Sequence, residues 1–444
     1  RLVPPRAPAP RPSARVGAMR VPRPAAIAGK RAPLQKPACR AFAKLKHAGP
    51  SNGADKAALL ERVRSPRTKS RDFAEAVASL RKNGLMTSPM DFTTVIAAWG
   101  RRRQWEKAVA TLEEMPKQGL TPDAIARSAA IAACERSGEA RAALRLFSGL
   151  LEGNLEPSLV TYNSLISACA KGRRWACALD AFASIRLTGG LEPDVISFNA
   201  LISACERGNQ WRLAVWTLED AVATGVLPDA ITFNATISAC DKGSQWQRAI
   251  QLLDDMRASF ARPDAISYNA ATSACKRSAQ WQAALVLFHE VGDQGLQPDK
   301  VTFGTALSAC ARGEQWEGAL VLFREMRERG LSADVMTHNS VIAACAQGQL
   351  WQRALFVLED IWQSGLGPNL TTYVEAIKAC ARAEQWRWPL QLLEEMSADG
   401  VSRSAAVHAL VAEACRRCQQ WEPAARALSD MRAAEEEGGP AHGK

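Results

Sequence analysis

Trp316, Ala319, Leu320, Leu322, Phe323 and Met326 fall three and four residues apart, which places them on one face of an amphipathic helix. A first helix precedes it in each unit. It runs from about the third residue of the unit to a cysteine in an Ile-Ser-Ala-Cys context, and it stops at Lys171-Gly172, Arg207-Gly208 or Lys242-Gly243, where glycine is a common helix stop. The second helix starts near a tryptophan and ends before a Gly-Leu-x-Pro-Asp loop such as Gly295 to Asp299. Proline cannot continue a helix, and aspartate caps the next one. The pair of helices then recurs: Trp211, Trp246, Trp281, Trp316, Trp351, Trp386 and Trp421 stand 35 residues apart, and Cys205, Cys240, Cys275, Cys310, Cys345, Cys380 and Cys415 keep the same step. Self-similarity at such a period marks a solenoid, in which each unit buries its apolar face against its neighbours. The pattern predicts an all-α, right-handed α-solenoid of about ten to eleven helix-turn-helix units with a concave inner face.

Units open at Pro89, Ala124, Leu159, Val195, Ala230, Ala265, Lys300, Val335, Leu370 and Ala405, and the unit from Leu159 to Asp194 carries one extra residue around Gly189-Gly190. Residues 89–434 form the array. Residues 54–88 read as a decayed first repeat, with a second helix over 73–82, a short first helix, and a basic link between them. Residues 435–444 are a polar tail suited to closing an array. Residues 1–53 read as a disordered basic segment, and their Arg-rich, acid-poor composition is that of an organellar transit peptide.

Charge changes the picture little. Residues 1–50 hold 12 Lys or Arg and no acid. The remainder is close to neutral, so the basic balance of the whole chain is no argument for nucleic acid. No apolar run reaches the roughly 18–20 residues of a membrane span. Nine of the twelve cysteines occupy one slot per unit, where stacked helices hold them too far apart for disulfides, so they read as small buried hydrophobes in a reducing compartment. The tryptophans read as wedges between hairpins, with base stacking as the alternative.

Three slots invite a functional reading. The second residue of each unit is aliphatic in most, including Val160, Ile196, Ile231, Ile266 and Val301. These residues either staple onto the helix below or sandwich flat bases. The thirteenth is basic in nine units: Arg101, Arg136, Lys171, Arg207, Lys242, Arg277, Arg312, Arg382 and Arg417. Cations favour helix C-termini, yet stacking also lines them up as a row matched to a phosphate backbone. The fifth holds Asn163, Asn199, Asn234, Asn269 and Asn339, although Asn is a mediocre helix former. A local cap does not explain it, because the junction residue already caps. An amide beside a carboxylate at each hairpin mouth suits one base edge per unit.

The period, the Val-Thr-Tyr-Asn opening (Val160 to Asn163) and the Pro-Asp closure (Pro193-Asp194) resemble those of pentatricopeptide repeat proteins, over about residues 89–434. The tetratricopeptide pattern, with its shorter period and peptide ligands, fits less well. The resemblance implies that the fifth and last residues of a unit jointly select a base. Asn163 with Asp194, Asn199 with Asp229, Asn234 with Asp264 and Asn269 with Asp299 then read uracil, Thr93 with Asp123 reads guanine, and Asn339 with Asn369 reads a pyrimidine. Ser128 with Ser158, Gly304 with Asp334 and Val374 with Ser404 depart from the usual pairs and carry no base assignment. The implied ligand is single-stranded RNA of the form G-N-U-U-U-U-N-Y-N.

The residues suggest no enzyme, cofactor or metal site. The five histidines form no cluster, and the zinc deaminase signature is missing. The lone Cys415-x-x-Cys418 includes a packing cysteine. The resulting expectation is a sequence-selective RNA-binding protein acting on an organellar transcript, in a chloroplast or alternatively a mitochondrion, with protein partners supplying any catalysis. The alternative is a helical scaffold for peptides or proteins.

Overall fold

The computed structural model describes residues 52–65, 68–187, 190–259, 261–426 and 429. Two helices, α1 (Asn52–Arg64) and α2 (Ser70–Lys82), open the described chain. The first helix of each later unit is α3 (Pro89–Arg101), α5 (Ala124–Ser137), α7 (Leu159–Lys171), α9 (Val195–Arg207), α11 (Ala230–Lys242), α13 (Ala265–Arg277), α15 (Lys300–Arg312), α17 (Val335–Gln347), α19 (Leu370–Arg382) and α21 (Ala405–Arg417). The second helices are α4 (Trp105–Lys117), α6 (Ala140–Glu152), α8 (Trp175–Leu187), α10 (Trp211–Ala223), α12 (Trp246–Ala258), α14 (Trp281–Asp293), α16 (Trp316–Glu328), α18 (Trp351–Gln363) and α20 (Arg387–Ala398). The basic segment and the polar tail expected at the two ends fall outside the described residues, apart from the start of α1.

Successive first helices pack on one another, as α7 does on α9 and α17 on α19. Each second helix packs on the first helix of its own unit and on that of the next. Successive second helices do not approach each other in the same way, so the first helices line the inner side of the stack. Two expectations need correction here. The first helices begin at the first residue of the unit, not the third, because the preceding Asp or Ser already closes the N-terminus. And α1 is not short: it spans 13 residues, as α3 does.

The caps explain these boundaries. Asp194 accepts from the Ser197 backbone N–H at 2.8 Å, and its own N–H donates to the Ser197 hydroxyl. Asp229 with Thr232 and Asp264 with Ser267 close α11 and α13 in the same reciprocal way. Each such box satisfies two of the four N–H groups that a helix start leaves unpaired.

The glycines between the two helices do a different job from the one the sequence suggests. Gly172, Gly208 and Gly243 have φ of −80°, −86° and −82°. The left-handed residue is the next one: Arg173, Asn209 and Ser244, with φ of 56°, 55° and 54°. Glycine is required instead by a close approach. A Cβ on Gly208 would lie 2.5 Å from Cδ1 of Trp175, and one on Gly243 would lie 2.4 Å from Cδ1 of Trp211. Trp175, Trp211, Trp281 and Trp316 are therefore wedges, each seated on the glycine of the following unit, while the matching position after Trp246 and Trp351 is Ser278 and Ala383.

The buried apolar residues form three successive clusters along the stack, within 63–133, 131–309 and 288–424. Cys169, Cys205, Cys240 and Cys275 are free and buried. Burial pushes the Cys205 thiol up to about 11, so it stays protonated and acts as a small apolar side chain. The fourth residue of most units is a buried ring, and Phe198 meets Phe182 of the preceding unit edge-on at 5.1 Å.

Candidate nucleic-acid interface

One cleft of about 470 Å³ lies where α7 and α9 run side by side. Its lining includes Val160 and Ile196 from the second slot, Asn163, Asn199 and Asp194 from the fifth and last slots, and Lys171 and Arg207 from the thirteenth. Four slots separated along the unit thus converge on one surface, because all four sit on the inner face of the first helix or at its ends. Val160 is 71% exposed and Ile196 63%, and Ile231, Ile266 and Val301 are likewise exposed. The staple reading fails for this row, since an aliphatic packed on the helix below would be buried. Neighbouring rows leave a gap flanked by apolar side chains.

The amide and carboxylate are in contact. Asn163 Nδ2 donates to Asp194 Oδ1 at 3.1 Å, Asn199 to Asp229 at 3.3 Å, Asn234 to Asp264 at 3.2 Å and Asn269 to Asp299 at 3.5 Å. Asn339 donates to Asn369 Oδ1 at 3.3 Å. The same Oδ1 atoms accept the helix cap, so the acid is cap and partner at once. Partial burial pushes each carboxyl up, but the bonds from the cap backbone and hydroxyl and from the asparagine outweigh it. They hold Asp194, Asp229 and Asp264 below the usual carboxylate range, and the same bonds act on Asp299. With Oδ1 committed, Oδ2 of Asp194, Asp229 and Asp264 makes no side-chain hydrogen bond among the described residues. The second Nδ2 hydrogen of each asparagine is likewise left to donate. Each mouth therefore offers one donor next to one acceptor.

The other assigned positions differ. Thr93 donates to its own Pro89 carbonyl at 2.9 Å, and Asp123 caps α5 through the Ala126 N–H. The Ser128 hydroxyl is 2.7 Å from that of Thr161, whose partner Ser158 caps α7. Gly304 brings no side chain to Asp334, and Lys300 Nζ stands 3.8 Å from that carboxylate.

The basic row is uneven. Lys171 pairs with Glu135 at 2.7 Å, Lys242 with Glu206 at 3.1 Å and Arg277 with Asp241 at 2.8 Å. These acids sit at the twelfth position of the preceding unit. Arg101 donates toward the carbonyls of Val63 and Arg64, and Arg417 pairs with Glu413. Arg136, Arg207, Arg312 and Arg382 have no ion-pair partner among the described residues. Lys276, which the sequence reading passed over, faces Arg312. Burial lowers its pKa, and Arg312 and Arg277 lower it further against the opposing pull of Asp241. The same reading also passed over the hydroxyls of Ser197, Thr232 and Ser267. Their signal was present, as a Ser or Thr three residues after each junction acid.

Among the described residues no group of three or more His, Cys, Asp or Glu is placed to hold a metal ion, and no helix is long and apolar enough to cross a membrane.

The maize pentatricopeptide repeat protein PPR10 is 19% identical, with a TM-score of 0.50, over 86% of this chain and 64% of that one. This chain thus spans less than two thirds of that protein's length. PPR10 in complex with an 18-nucleotide psaJ RNA element matches at 19% identity and a TM-score of 0.43 with the same coverage. Yeast Rmd9p in complex with a 16-nucleotide target RNA matches at 10% identity and a TM-score of 0.41, over 87% of this chain and 94% of that one. At these identities the likeness is one of fold. A search of the curated proteins found no match. The profile of the pentatricopeptide repeat domain matches residues 128–172, 145–209, 186–243, 216–278, 286–348 and 321–383, and that of the PPR repeat matches 91–120. Since these overlapping matches cover more than half of the sequence, the chain belongs to the pentatricopeptide repeat family.

Proposed function

We propose that the array binds single-stranded RNA sequence-selectively, one base per unit, with a U-rich target of the form G-N-U-U-U-U-N-Y-N. The observation that carries this reading is the cleft between α7 and α9, where exposed aliphatics, the asparagine–aspartate pair and the basic row meet. A base slides between successive second-slot side chains such as Val160 and Ile196. Its Watson–Crick edge then faces the pair at the mouth. Uracil presents acceptor oxygens beside the N3–H donor. The free Asn Nδ2–H donates to the oxygen, and the free Asp Oδ2 accepts from N3–H. Adenine and cytosine each set a donor against the amide or an acceptor against the carboxylate.

The pair Asn339–Asn369 sharpens the pyrimidine expectation. Asn369 must turn Oδ1 toward the cap, where Thr372 N–H donates to it at 3.0 Å. Its Nδ2 then takes the place of the carboxylate oxygen, so this mouth offers donors only. Cytosine N3 accepts from the Asn369 amide, whereas the N3–H of uracil would meet a second donor, so cytosine fits this mouth better than uracil.

The unpaired Arg136, Arg207, Arg312 and Arg382 hold the phosphates. A protein of this design shields a transcript from nucleases or keeps it unpaired, and protein partners supply any catalysis. The composition of residues 1–53 supports action in an organelle, a chloroplast in preference to a mitochondrion. A fluorescent fusion of that segment which stays in the cytosol would remove this support.

The test is binding of the full chain to 5′-GAUUUUACA-3′ and to the same strand with AAAA in place of UUUU, across a salt series. A U-tract preference that drops about tenfold or more per position in the Asn199→Ala plus Asn234→Ala variant is the expected result. Equal, salt-sensitive binding to both strands means phosphate attraction without a code. Binding to neither turns the reading to a peptide scaffold.

A further inference from the structure

Beyond the pair that faces the base, the third residue of the following unit touches the asparagine from behind. The Ser197 hydroxyl lies 2.6 Å from Asn163 Oδ1, Thr232 lies 2.6 Å from Asn199 Oδ1, and Ser267 lies 2.5 Å from Asn234 Oδ1. Each of these hydroxyls is buried and also lies 2.8–2.9 Å from the capping carboxylate, so its single proton is shared between the two oxygens. The same arrangement is incomplete at two other units. Asn269 Oδ1 and Asn339 Oδ1 are buried without a hydrogen-bond partner, although Thr302 and Thr372 occupy the same position and bond only to the caps.

We infer that the third-position hydroxyl of the next unit is a specificity-determining positioning residue, which fixes the orientation of the reading amide. An amide presents opposite chemistry on its two ends. With Oδ1 held inward by an O–H donor, only Nδ2–H faces the base, which suits the O4 acceptor of uracil. Turned about, Oδ1 faces the base and suits the N4–H₂ of cytosine. At Asn163, Asn199 and Asn234 the amide has two anchors, the carboxylate and the hydroxyl. At Asn269 and Asn339 it has one. The chain thereby grades its units into strict uracil readers and more tolerant ones, although the Asn–Asp pair is the same at the fourth as at the first three.

This inference rests on the RNA-reading proposal and deepens it. The test measures the U-over-C affinity ratio at single positions of the nine-nucleotide strand, using the full chain. In the wild type the ratio is expected to be higher at the base read by Asn199 than at the base read by Asn269. Thr232→Val is expected to lower the ratio at the Asn199 base by about fivefold, the equivalent of one hydrogen bond, with the neighbouring positions unchanged. Thr232→Ser should restore it. Because the same hydroxyl completes the helix cap, the melting temperature of Thr232→Val is also expected to fall, but a purely structural role would weaken all bases alike. Ser267→Ala provides the same reading at the Asn234 base should Thr232→Val not fold. A ratio that stays at the wild-type value in these variants, while Asn199→Ala abolishes it, overturns the inference and leaves the reading proposal standing. A wild type without any U-over-C preference overturns both.

Discussion

Residues 159–299 and the unit after them, 300–334, have the same skeleton and different mouths. In the first stretch the fifth residue is Asn163, Asn199, Asn234 or Asn269, each bonded to the aspartate that closes its unit. In the second the fifth residue is Gly304, and Asp334, beyond its cap bonds to Thr337, faces only the distant ammonium of Lys300 among the described residues. Yet α15 keeps its aspartate cap, its buried Phe303 and its buried Cys310. The helices, caps and cysteine row are thus set by one group of positions and the mouth chemistry by another. A unit that loses its reading atoms does not lose its place in the stack.

The largest expected effect comes from attacking the shared skeleton inside the first stretch. Gly243 accepts the Trp211 ring across the junction of two asparagine units, and even a Cβ there falls 2.4 Å from Cδ1. Gly243→Leu should cost about 3 kcal/mol through overpacking, seen as a lower melting temperature and faster amide exchange in α10 and α12. Discrimination at the base read by Asn199 should fall with it, since Asn199, Asp229 and Thr232 meet across that same junction. An unchanged melt would mean that the wedge is not what holds the units in register.

The converse experiment changes a mouth and leaves the skeleton alone. Gly304→Asn places an amide opposite Asp334, whose Oδ1 already accepts from the Thr337 N–H and hydroxyl. The base facing that unit should gain a preference for uracil of about tenfold, within the usual range for a single recognised base. Stability should rise slightly, because glycine inside a helix costs roughly 1 kcal/mol relative to better formers. A binding profile identical to that of the wild type would show that the pair needs more than its two side chains.

The skeleton was open to view in the sequence because its positions repeat: Trp211, Cys205 and the Pro-Asp closure announce period, core and cap without any knowledge of contacts. The slots of the mouth were visible for the same reason. What the sequence did not reveal were contacts between residues of different units. Glycine at Gly208 reads as a turn former, and only the Trp175 ring of the unit before explains it. Lys171 and Arg312 look alike on the chain, but Glu135 meets one and Lys276 faces the other. Thr232 looks like half of a capping box, and its reach to Asn199 exists only once two units are stacked.

That difference in the basic row sets the next, smaller effect. Lys242 in the first stretch is paired with Glu206, whereas Arg312 at the end of α15 is not paired among the described residues. Each phosphate contact on a single strand contributes about 0.7 to the slope of log affinity against log salt. Arg312→Ala should remove close to that amount, and Lys242→Ala distinctly less, because its charge is partly spent on a carboxylate already. Equal losses would make the row uniform and the ion pairs irrelevant, as exposed pairs often are.

Acid separates the units most gently. Asp194, Asp229, Asp264, Asp299 and Asp334 cap their helices with carboxyls held below the usual range by hydrogen bonds that outweigh partial burial. Ser158 caps α7 with a hydroxyl that does not titrate. A group whose folded pKa is depressed binds protons more readily unfolded, so its contribution is complete above the unfolded value and disappears as pH falls through the folded one. Stability should therefore be flat from neutral pH down to about pH 4 and decline below it. Hydrogen exchange should increase in acid at the N-termini of α9, α11 and α13 before that of α7. Asp264→Ser keeps a cap without the carboxyl and should flatten the acid response of α13 alone. If α13 in that variant opened with the same pH profile as in the wild type, the carboxylate would not be the group that ties the mouth to the helix beneath it.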